Sequence, residues 1–264
     1  MKKLFRSMLL GLLGLSLTGC TNVGHYADAD KYVAGNKEYN DIPTSLDIDW
    51  LSGNLTLVSD PNVVGVKITE DTNATDEGGL VHSYFDNGTL KIKFAASGYT
   101  FPSFPVLKKD LEIRYNPSDK PFELVNIDLT SGSLNIEEMK ATKFELDMTS
   151  GKANIKTLFA SETDIDLTSG SVSFETLATS KFESDLTSGS INVKFTKEVN
   201  GEFSLTSGSI DMTLPSDGGV VKVSKTSGSV TTNRECSVDK DTYKFGDGKS
   251  DIKVSMTSGR LTIN

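Results

Sequence analysis

Acidic side chains recur at fixed positions along the second half of the chain. One column stands two residues before the threonine of successive Thr-Ser-Gly triplets: Asp128, Asp147, Asp166 and Asp185. A second column stands four residues before that threonine: Glu145, Asp164 and Glu183. Both columns fall between apolar positions of an alternating pattern, so both are predicted to point outward and to stack on one face. Oxygen ligands from adjacent turns suit Ca²⁺, and the face is therefore a candidate for cation or ligand binding.

A charged, solvated surface is the alternative interpretation of the same columns. Neighbouring carboxylates about 4.8 Å apart repel each other by roughly 0.9 kcal/mol in water, which a hydrated face can tolerate. The Gly-Gly-x-Gly-x-Asp repeat of calcium-binding β-rolls does not occur in the chain. Calcium is thus the one cofactor that the sequence brings into consideration, and otherwise none is expected.

No arrangement of residues predicts catalysis. The acidic residues are periodic, as a repeat requires, and do not form an isolated acid and base pair of the kind that glycoside hydrolysis needs. His25 and His82 have no nucleophile motif beside them, and the chain contains no Gly-x-Ser-x-Gly, His-Glu-x-x-His or P-loop sequence. The sequence therefore predicts a protein that is not an enzyme.

An aromatic, proline-containing segment lies between residues 95 and 110. Tyr99, Phe101 and Phe104 are its aromatic residues, and Pro102 and Pro105 lie among them. Such a loop can stack on a sugar ring, or it can be a hydrophobic plug over an open end of the fold. Proteins usually cover an exposed sheet edge, and both interpretations stay open at this point.

The N-terminal residues predict export and lipidation. Lys2, Lys3 and Arg6 precede a short apolar run, and Leu17-Thr18-Gly19 leads into Cys20. This pattern is typical of a secretory signal peptide over residues 1–19, and small residues before a cysteine resemble a bacterial lipobox. We expect cleavage before Cys20, a lipid on its sulfur, and membrane attachment outside the cytoplasm, at the cell membrane or the outer membrane.

An internal repeat predicts the strands and turns that position the acidic and aromatic residues. Thr-Ser-Gly begins at seven positions: Thr130, Thr149, Thr168, Thr187, Thr206, Thr226 and Thr257. A period near 20 residues is typical of a solenoid, whose coils bury their apolar faces only by stacking. Apolar residues alternate on both sides of each triplet, and a third apolar point follows at Met139, Leu158 and Leu177. The sequence predicts an all-β, single-stranded parallel β-helix with 19-residue, three-sided coils, two short strands in each coil, and a corner at Thr-Ser-Gly.

The first coil is divergent and is followed by an insert. Leu46 to Leu57 fits the repeat with Leu51 at the place of the threonine. Four alternating runs before Thr130, two of them joined by Asp86-Asn87-Gly88, predict a small antiparallel β insert that caps the coils. The predicted divisions are a lipidated tether over 20–40, the first coil and insert over 41–125, and solenoid coils over 126–264 with a loop insertion at 233–250. Three tyrosines of the tether, Tyr26, Tyr32 and Tyr39, could dock on the folded part.

The Leu-Ser-Gly-x-Leu-x-Leu sequence after Trp50, the Leu111 to Pro117 strand and the run of Ser-Gly-x-apolar-x-apolar coils together resemble a known family. It is the bacterial family of proposed adhesins with β-strand repeats, a domain of unknown function related to the GIN head domain of auto-transporter adhesins. The similarity covers residues 41–264. It implies a surface-displayed, β-helix-like domain without catalytic residues.

The net charge of −9 argues against nucleic acid and anionic lipid head groups as partners. The expected partners are the membrane, through the lipid on Cys20, and a host matrix component, a glycan or another cell-envelope component. The sequence thus predicts a lipoprotein that acts as an adhesion or binding module. The alternative is a structural or regulatory envelope lipoprotein that relays envelope stress and has no ligand of its own.

Overall fold

The computed structural model describes residues 23–101, 107–117 and 120–264. Two short 3₁₀ turns, Ala29–Lys31 and Glu77–Gly79, accompany twenty β-strands joined into one hydrogen-bonded sheet. The strands are β1 Val33–Ala34, β2 Lys37–Tyr39, β3 Ser45–Trp50, β4 Asn54–Ser59, β5 Val66–Thr72, β6 His82–Asp86, β7 Thr89–Lys93, β8 Lys109–Tyr115, β9 Phe122–Leu129, β10 Ser133–Met148, β11 Lys152–Leu167, β12 Ser171–Ala178, β13 Lys181–Phe195, β14 Asn200–Thr213, β15 Gly218–Lys225, β16 Ser229–Thr232, β17 Ser237–Asp239, β18 Thr242–Gly246, β19 Ser250–Met256 and β20 Arg260–Ile263.

The central coils, β9 to β14, confirm the predicted parallel β-helix. Ser133 of β10 pairs with Lys152 of β11, and Lys152 pairs with Ser171 of β12, so each strand advances by one 19-residue repeat. The apolar positions of the pattern point inward and are almost completely buried, including the third point at Met139, Leu158 and Leu177. Stacking therefore buries one continuous apolar core along the axis.

The strands are longer than predicted. β10 and β11 each run for 16 residues without a break, from one Thr-Ser-Gly corner to the next. The expectation of two short strands in each coil is wrong for these coils, because the bend near Met139 contains no glycine or proline and the ladder hydrogen bonds continue through it.

The Thr-Ser-Gly corner turns the chain through a glycine in a conformation that other residues avoid. Gly170 has φ +107°, and a Cβ atom on it would lie 2.3 Å from the carbonyl oxygen of Gly151 in the coil below. Only glycine meets both conditions, the positive φ and the close backbone approach. The repeat of this triplet is thus a requirement of stacking.

The insert contains a further coil, which lacks the Thr-Ser-Gly triplet of the central coils. We name β7 and β8 the insert coil, because β7 pairs in parallel with β3 and β8 pairs in parallel with β4. Antiparallel strands cover it on both sides, as predicted: β6 pairs with β7, and β5 pairs with β8. The predicted turn at Asn87 and Gly88 has the positive φ angles, 48° and 85°, of a tight hairpin.

The predicted tether is partly docked on this end of the stack. β1 pairs with β6, and β2 pairs with β5. Tyr26 donates a hydrogen bond to the carbonyl oxygen of Ala95, and its ring lies 5.0 Å from that of Tyr32. The tyrosines of this segment therefore add to the cover of the insert coil.

The order of the coils in space differs from their order in the chain at the C-terminal end. We name β19 and β20 the last coil, and β15 and β16 the outer coil. The last coil pairs with β14 on one side and with the outer coil on the other. The loop insertion predicted at 233–250 contains a hairpin, β17 and β18, and β18 pairs with β15 to cover the outer coil.

Candidate functional site

The parallel register brings the four predicted aspartates into one column, which Asp49 of the first coil extends. Asp49 pairs with Asp128, Asp128 with Asp147, Asp147 with Asp166, and Asp166 with Asp185. Consecutive members therefore lie one strand spacing apart, about 4.8 Å. The column ends at Ser204 of β14, which pairs with Asp185.

The second predicted column runs beside the first and is neutralised in part. Its members Glu145, Asp164 and Glu183 lie in register on β10, β11 and β13. Lys143 makes an ion pair with Glu145, and Lys181 makes one with Glu183 at 2.8 Å between Nζ and Oε1. We name the two columns together the acidic face: Asp49, Asp128, Asp147, Asp166, Asp185, Glu145, Asp164 and Glu183.

Crowding of the carboxylates changes their affinity for protons. Burial, and then the charges of Asp166 and Asp128, raises the pKa of Asp147 to about 7. Burial, and then the charges of Asp166 and Glu183, raises the pKa of Asp164 to about 6. The carboxylates of the acidic face therefore repel one another, and the folded protein is stabilised when protons or other cations neutralise them.

Threonines form a third column next to the aspartates. A shallow groove runs between the two columns across four coils and is lined by Asp128, Thr130, Asp147, Thr149, Asp166, Thr168, Asp185 and Thr187, with Leu129, Met148 and Leu167 between them. Hydroxyl groups of the corner bond the coil below, as Ser131 Oγ does to the carbonyl oxygen of Leu51 at 2.9 Å. Among the described residues, no group of three or more His, Cys, Asp and Glu side chains is arranged to hold a metal ion.

The described aromatic residues of the 95–110 segment, Tyr99 and Phe101, pack on the insert coil. The ring of Phe101 lies 5.5 Å from that of Phe94, which lies 4.7 Å from that of Trp50 in the core. Tyr99 packs edge-on against Phe101 and donates its hydroxyl hydrogen to Asp76 Oδ2 at 3.0 Å. This packing is the arrangement expected of a plug. Phe104 lies outside the described residues, and the sugar-stacking alternative stays a prediction.

A buried ion pair lies beneath the aromatic loop and was missed in the sequence. Lys109 Nζ lies 2.8 Å from Glu70 Oε1, and the two side chains are 0% and 1% exposed. The ammonium group also donates to the carbonyl oxygens of Gly79 and Phe94 and lies 4.4 Å from the centre of the Phe94 ring. Burial lowers the pKa of Lys109, and the charge of Glu70 opposes that effect.

The alternating pattern did contain a signal for this pair. Lys109 precedes the inward positions Leu111 and Ile113 by two and four residues, and Glu70 follows Val66 and Ile68 at the same spacing. Period 2 therefore assigned both charges to the interior. Two opposite charges at inward positions of neighbouring strands predict a buried pair.

Cys20 lies outside the described residues, so its lipidation stays a prediction. Cys236 is a free thiol of intermediate exposure. Across the described ranges, no helix has the length and apolar character needed to cross a membrane.

A family model for Toastrack DUF4097 matches residues 37–264. Solved structures of similar fold include a proposed adhesin from Bacteroides fragilis NCTC 9343, with a TM-score of 0.51 and 12% identity over 87% of this chain and 96% of that chain. Another is a proposed cell adhesion protein from Clostridium sporogenes ATCC 15579, with a TM-score of 0.42 and 17% identity over 88% of this chain and 99% of that chain. A proposed adhesin from Parabacteroides merdae ATCC 43184 has a TM-score of 0.44 and 13% identity over 92% of this chain and 98% of that chain. At these identities the similarity concerns the fold. A search of the curated proteins finds no relative.

The family similarity predicted from the sequence is confirmed, and the relation to the GIN head domain stays a prediction.

Proposed function

The chain belongs to the Toastrack DUF4097 family, and from that premise we propose that it is a lipid-anchored, surface-exposed binding module without catalytic activity. A parallel β-helix suits this role because it presents long rigid faces with side chains at a fixed spacing. The protein structures with which the fold is shared include proposed adhesins. That description supports the proposal by analogy of fold, which is a weaker warrant than the geometry of a site.

The acidic face carries the proposal. Its aspartates repeat over neighbouring coils in strict register, and the groove beside them is open and has threonines along its length. A long partner with cationic groups would neutralise several crowded carboxylates at once, and the hydroxyls would offer hydrogen bonds between them. The partner class that fits best is therefore an extended, basic component of the host matrix or of the cell envelope.

Binding is tested with the purified domain on an array of matrix proteins, glycans and a lysine homopolymer. The test variant is Asp147→Asn with Asp166→Asn. The matched control is Glu175→Gln with Glu198→Gln, which removes the same formal charge from exposed positions outside the acidic face. We expect a loss of affinity of about tenfold or more for the test variant, the size of a lost charge-assisted contact, and little change for the control.

The outcomes of this experiment separate the possible roles. Equal losses in both variants would mean that overall charge, and not the acidic face, attracts the partner. A blank array together with co-purification of a membrane protein would overturn the binding module in favour of an envelope-stress relay. Alanine replacement of Phe101 and Phe104 on the same array tests the aromatic loop as a second contact.

Calcium is tested separately by calorimetric titration of the domain. Extracellular calcium sites have dissociation constants of about 10⁻⁴ to 10⁻³ M. Absence of heat at millimolar calcium, with no change in the melting temperature, would remove calcium as a ligand of the acidic face. Heat that disappears in the Asp147→Asn and Asp166→Asn variant would assign it to this face.

The proposed anchor is tested by the Cys20→Ser variant. We expect the wild-type chain in the membrane fraction and the variant in the soluble extracytoplasmic fraction, because a lipidated cysteine would provide the attachment. Membrane association that survives this substitution would contradict lipid anchoring at Cys20 and would leave the array result unaffected.

A further inference from the structure

The last coil occupies a slot whose walls lie earlier in the chain. One wall is β14, whose residue Asn200 pairs with Asp251, and the other is the outer coil, whose residue Val220 pairs with the same Asp251. Both walls are parallel strand edges, and without the last coil both would lack a partner along their facing sides. The segment from Ser250 onward therefore completes a sheet that the preceding residues leave open.

Contacts on both sides hold this segment strongly. Backbone amides of the last coil donate to one wall, as Thr257 does to Leu205 at 2.9 Å, and amides of the other wall donate to the last coil, as Ser229 does to Gly259 at 3.0 Å. Its inward side chains are 0–4% exposed: Ile252, Val254, Met256, Leu261 and Ile263. Burial on this scale makes the segment a core element and not an appendage.

Charged side chains of the segment form ion pairs with both walls. Lys253 Nζ lies 2.9 Å from Glu202 Oε1 on β14, and Asp251 Oδ1 lies 3.0 Å from Lys222 Nζ on the outer coil. Both ion pairs lie between exposed side chains, and they add to the backbone pairing that sets the register of the segment.

A short glycine-containing connection joins the slot to its occupant. Gly246 has φ +56°, and the amide of Gly248 donates to the carbonyl oxygen of Asp217 at 2.7 Å. A Cβ atom on Gly248 would lie 2.3 Å from the carbonyl oxygen of Gly218. The closed connection therefore depends on glycine at this position.

We infer that the slot binds the last coil of a second copy of the chain, so that two copies join by exchanging the segment from Ser250 onward. The exchanged dimer repeats every contact of the slot and differs from the monomer only at residues 246–249. Such exchange is a low-cost route to a dimer, since it gives up only the closed connection and the entropy of association, and it becomes favourable as the concentration of chains rises. The exchange is independent of the acidic face and of its partner.

The test uses full chains with Cys20→Ser and Cys236→Ser. One population carries Glu202→Cys and the other carries Lys253→Cys, at positions that are register partners. The two are mixed, unfolded, refolded at increasing concentration and oxidised. A monomer of either kind has one cysteine, so a disulfide between the two kinds of chain forms where one has donated its last coil to the other.

We expect the covalent heterodimer to increase with concentration. The Gly248→Ala change should raise its amount several-fold, because the added Cβ obstructs the closed connection, whereas Gly24→Ala, with nothing within 4 Å of its Cβ, should not. A mixture of Glu202→Cys and Lys140→Cys chains controls for random collision and should give no heterodimer.

One result would overturn the inference. It is the absence of heterodimer at every concentration while a single chain carrying both Glu202→Cys and Lys253→Cys forms its internal disulfide. That outcome would show that the cysteines can join within a closed monomer and that no exchange between chains occurs. The wild-type connection suffices for this test, so it does not depend on the folding of the Gly248→Ala variant.

Discussion

The two ends of the stack cover their exposed strand edges and close the apolar interior with different chemistry. At the N-terminal end, antiparallel strands cover both sides of the insert coil, and a buried ion pair and the rings of Tyr99 and Phe101 close the interior. At the C-terminal end, the β17 and β18 hairpin covers the outer coil along β15, and within the described residues β16 pairs only with β20. The interior there is closed by apolar side chains such as Phe245, which is 0% exposed.

Both ends nevertheless share one feature of topology. At each end the chain builds a coil, forms its cover, and returns to place another coil beside the first. The insert coil lies outside the first coil, and the last coil lies inside the outer coil. An uncovered parallel edge invites pairing with other chains. The covering strands at each end, which lie between the two coils in the chain, protect the outermost edge of the stack.

The largest effect should come from the ion pair of the N-terminal end. Lys109→Met leaves Glu70 charged and buried, and loss of one partner of such a pair costs about 3 to 5 kcal/mol of stability. Denaturant unfolding measures the change. The double variant Lys109→Met with Glu70→Leu should recover most of it, because neither charge is then buried. A loss below about 1 kcal/mol for the single variant would mean that the ion pair does not secure this end.

The C-terminal end should depend on apolar packing instead. Phe245→Ala removes a fully buried ring from the cover of the outer coil, and such truncations cost about 3 kcal/mol or more. The matched control is Val238→Ala in the same hairpin, since Val238 is 57% exposed. Equal effects of the two changes in denaturant unfolding would contradict the assignment of Phe245 as the closing side chain.

The repeats and their core could be predicted because each coil carries the same alternation of apolar residues around its Thr-Ser-Gly triplet. Leu146, Ile165 and Phe203 occupy inward positions in the sequence and are buried in the structure. The stacking order could not be predicted, because every Thr-Ser-Gly coil offers the same edges to every other coil. The insert coil was hidden for a related reason. Residues 95–108 replace its corner triplet, and only the register of β7 and β8 reveals it.

The acidic columns were predicted as columns, and the strand register does align their members. Their altered proton affinity was not predicted, because it depends on the burial around Asp147 and Asp164 that the stacked coils create. The ion pair of Lys109 and Glu70 was missed for a different reason. The alternation placed each charge at an inward position, but the pairing of β5 with β8, which brings the two together, is a long-range contact that the pattern of a single strand does not contain.

Replacement of a corner glycine should reduce stability equally in the middle and at the end of the stack. Gly170→Ala and Gly228→Ala each place a Cβ about as close to the carbonyl of the neighbouring coil, 2.3 Å and 2.2 Å, at φ +107° and +105°. Strain at such positions costs about 1 to 3 kcal/mol. Thermal or denaturant unfolding should therefore give similar losses, and Gly24→Ala should give none. A much smaller loss for Gly228 would show that the outer coil yields where the central coils do not.

The smallest effect should distinguish the central coils from both ends by its dependence on pH. Asp147 has its pKa raised to about 7 by burial and by the neighbouring carboxylates, whereas an unfolded aspartate titrates near pH 4. Between these values the folded chain binds more protons than the unfolded chain, so stability is greatest at the acid side and falls as the pH rises through about 7.

The stacked coils bury one side of the Asp147 carboxyl, but the residue as a whole is exposed to solvent, so this contribution should stay below about 1 kcal/mol. The Asp147→Asn variant should flatten the decline in melting temperature between pH 4 and 8, since the amide cannot lose a proton. Asp239→Asn in the exposed C-terminal hairpin should leave the slope unchanged. If the two variants have the same slope as the wild-type chain, the aspartate column does not behave as a set of crowded carboxylates, and the central coils are electrostatically no different from the ends.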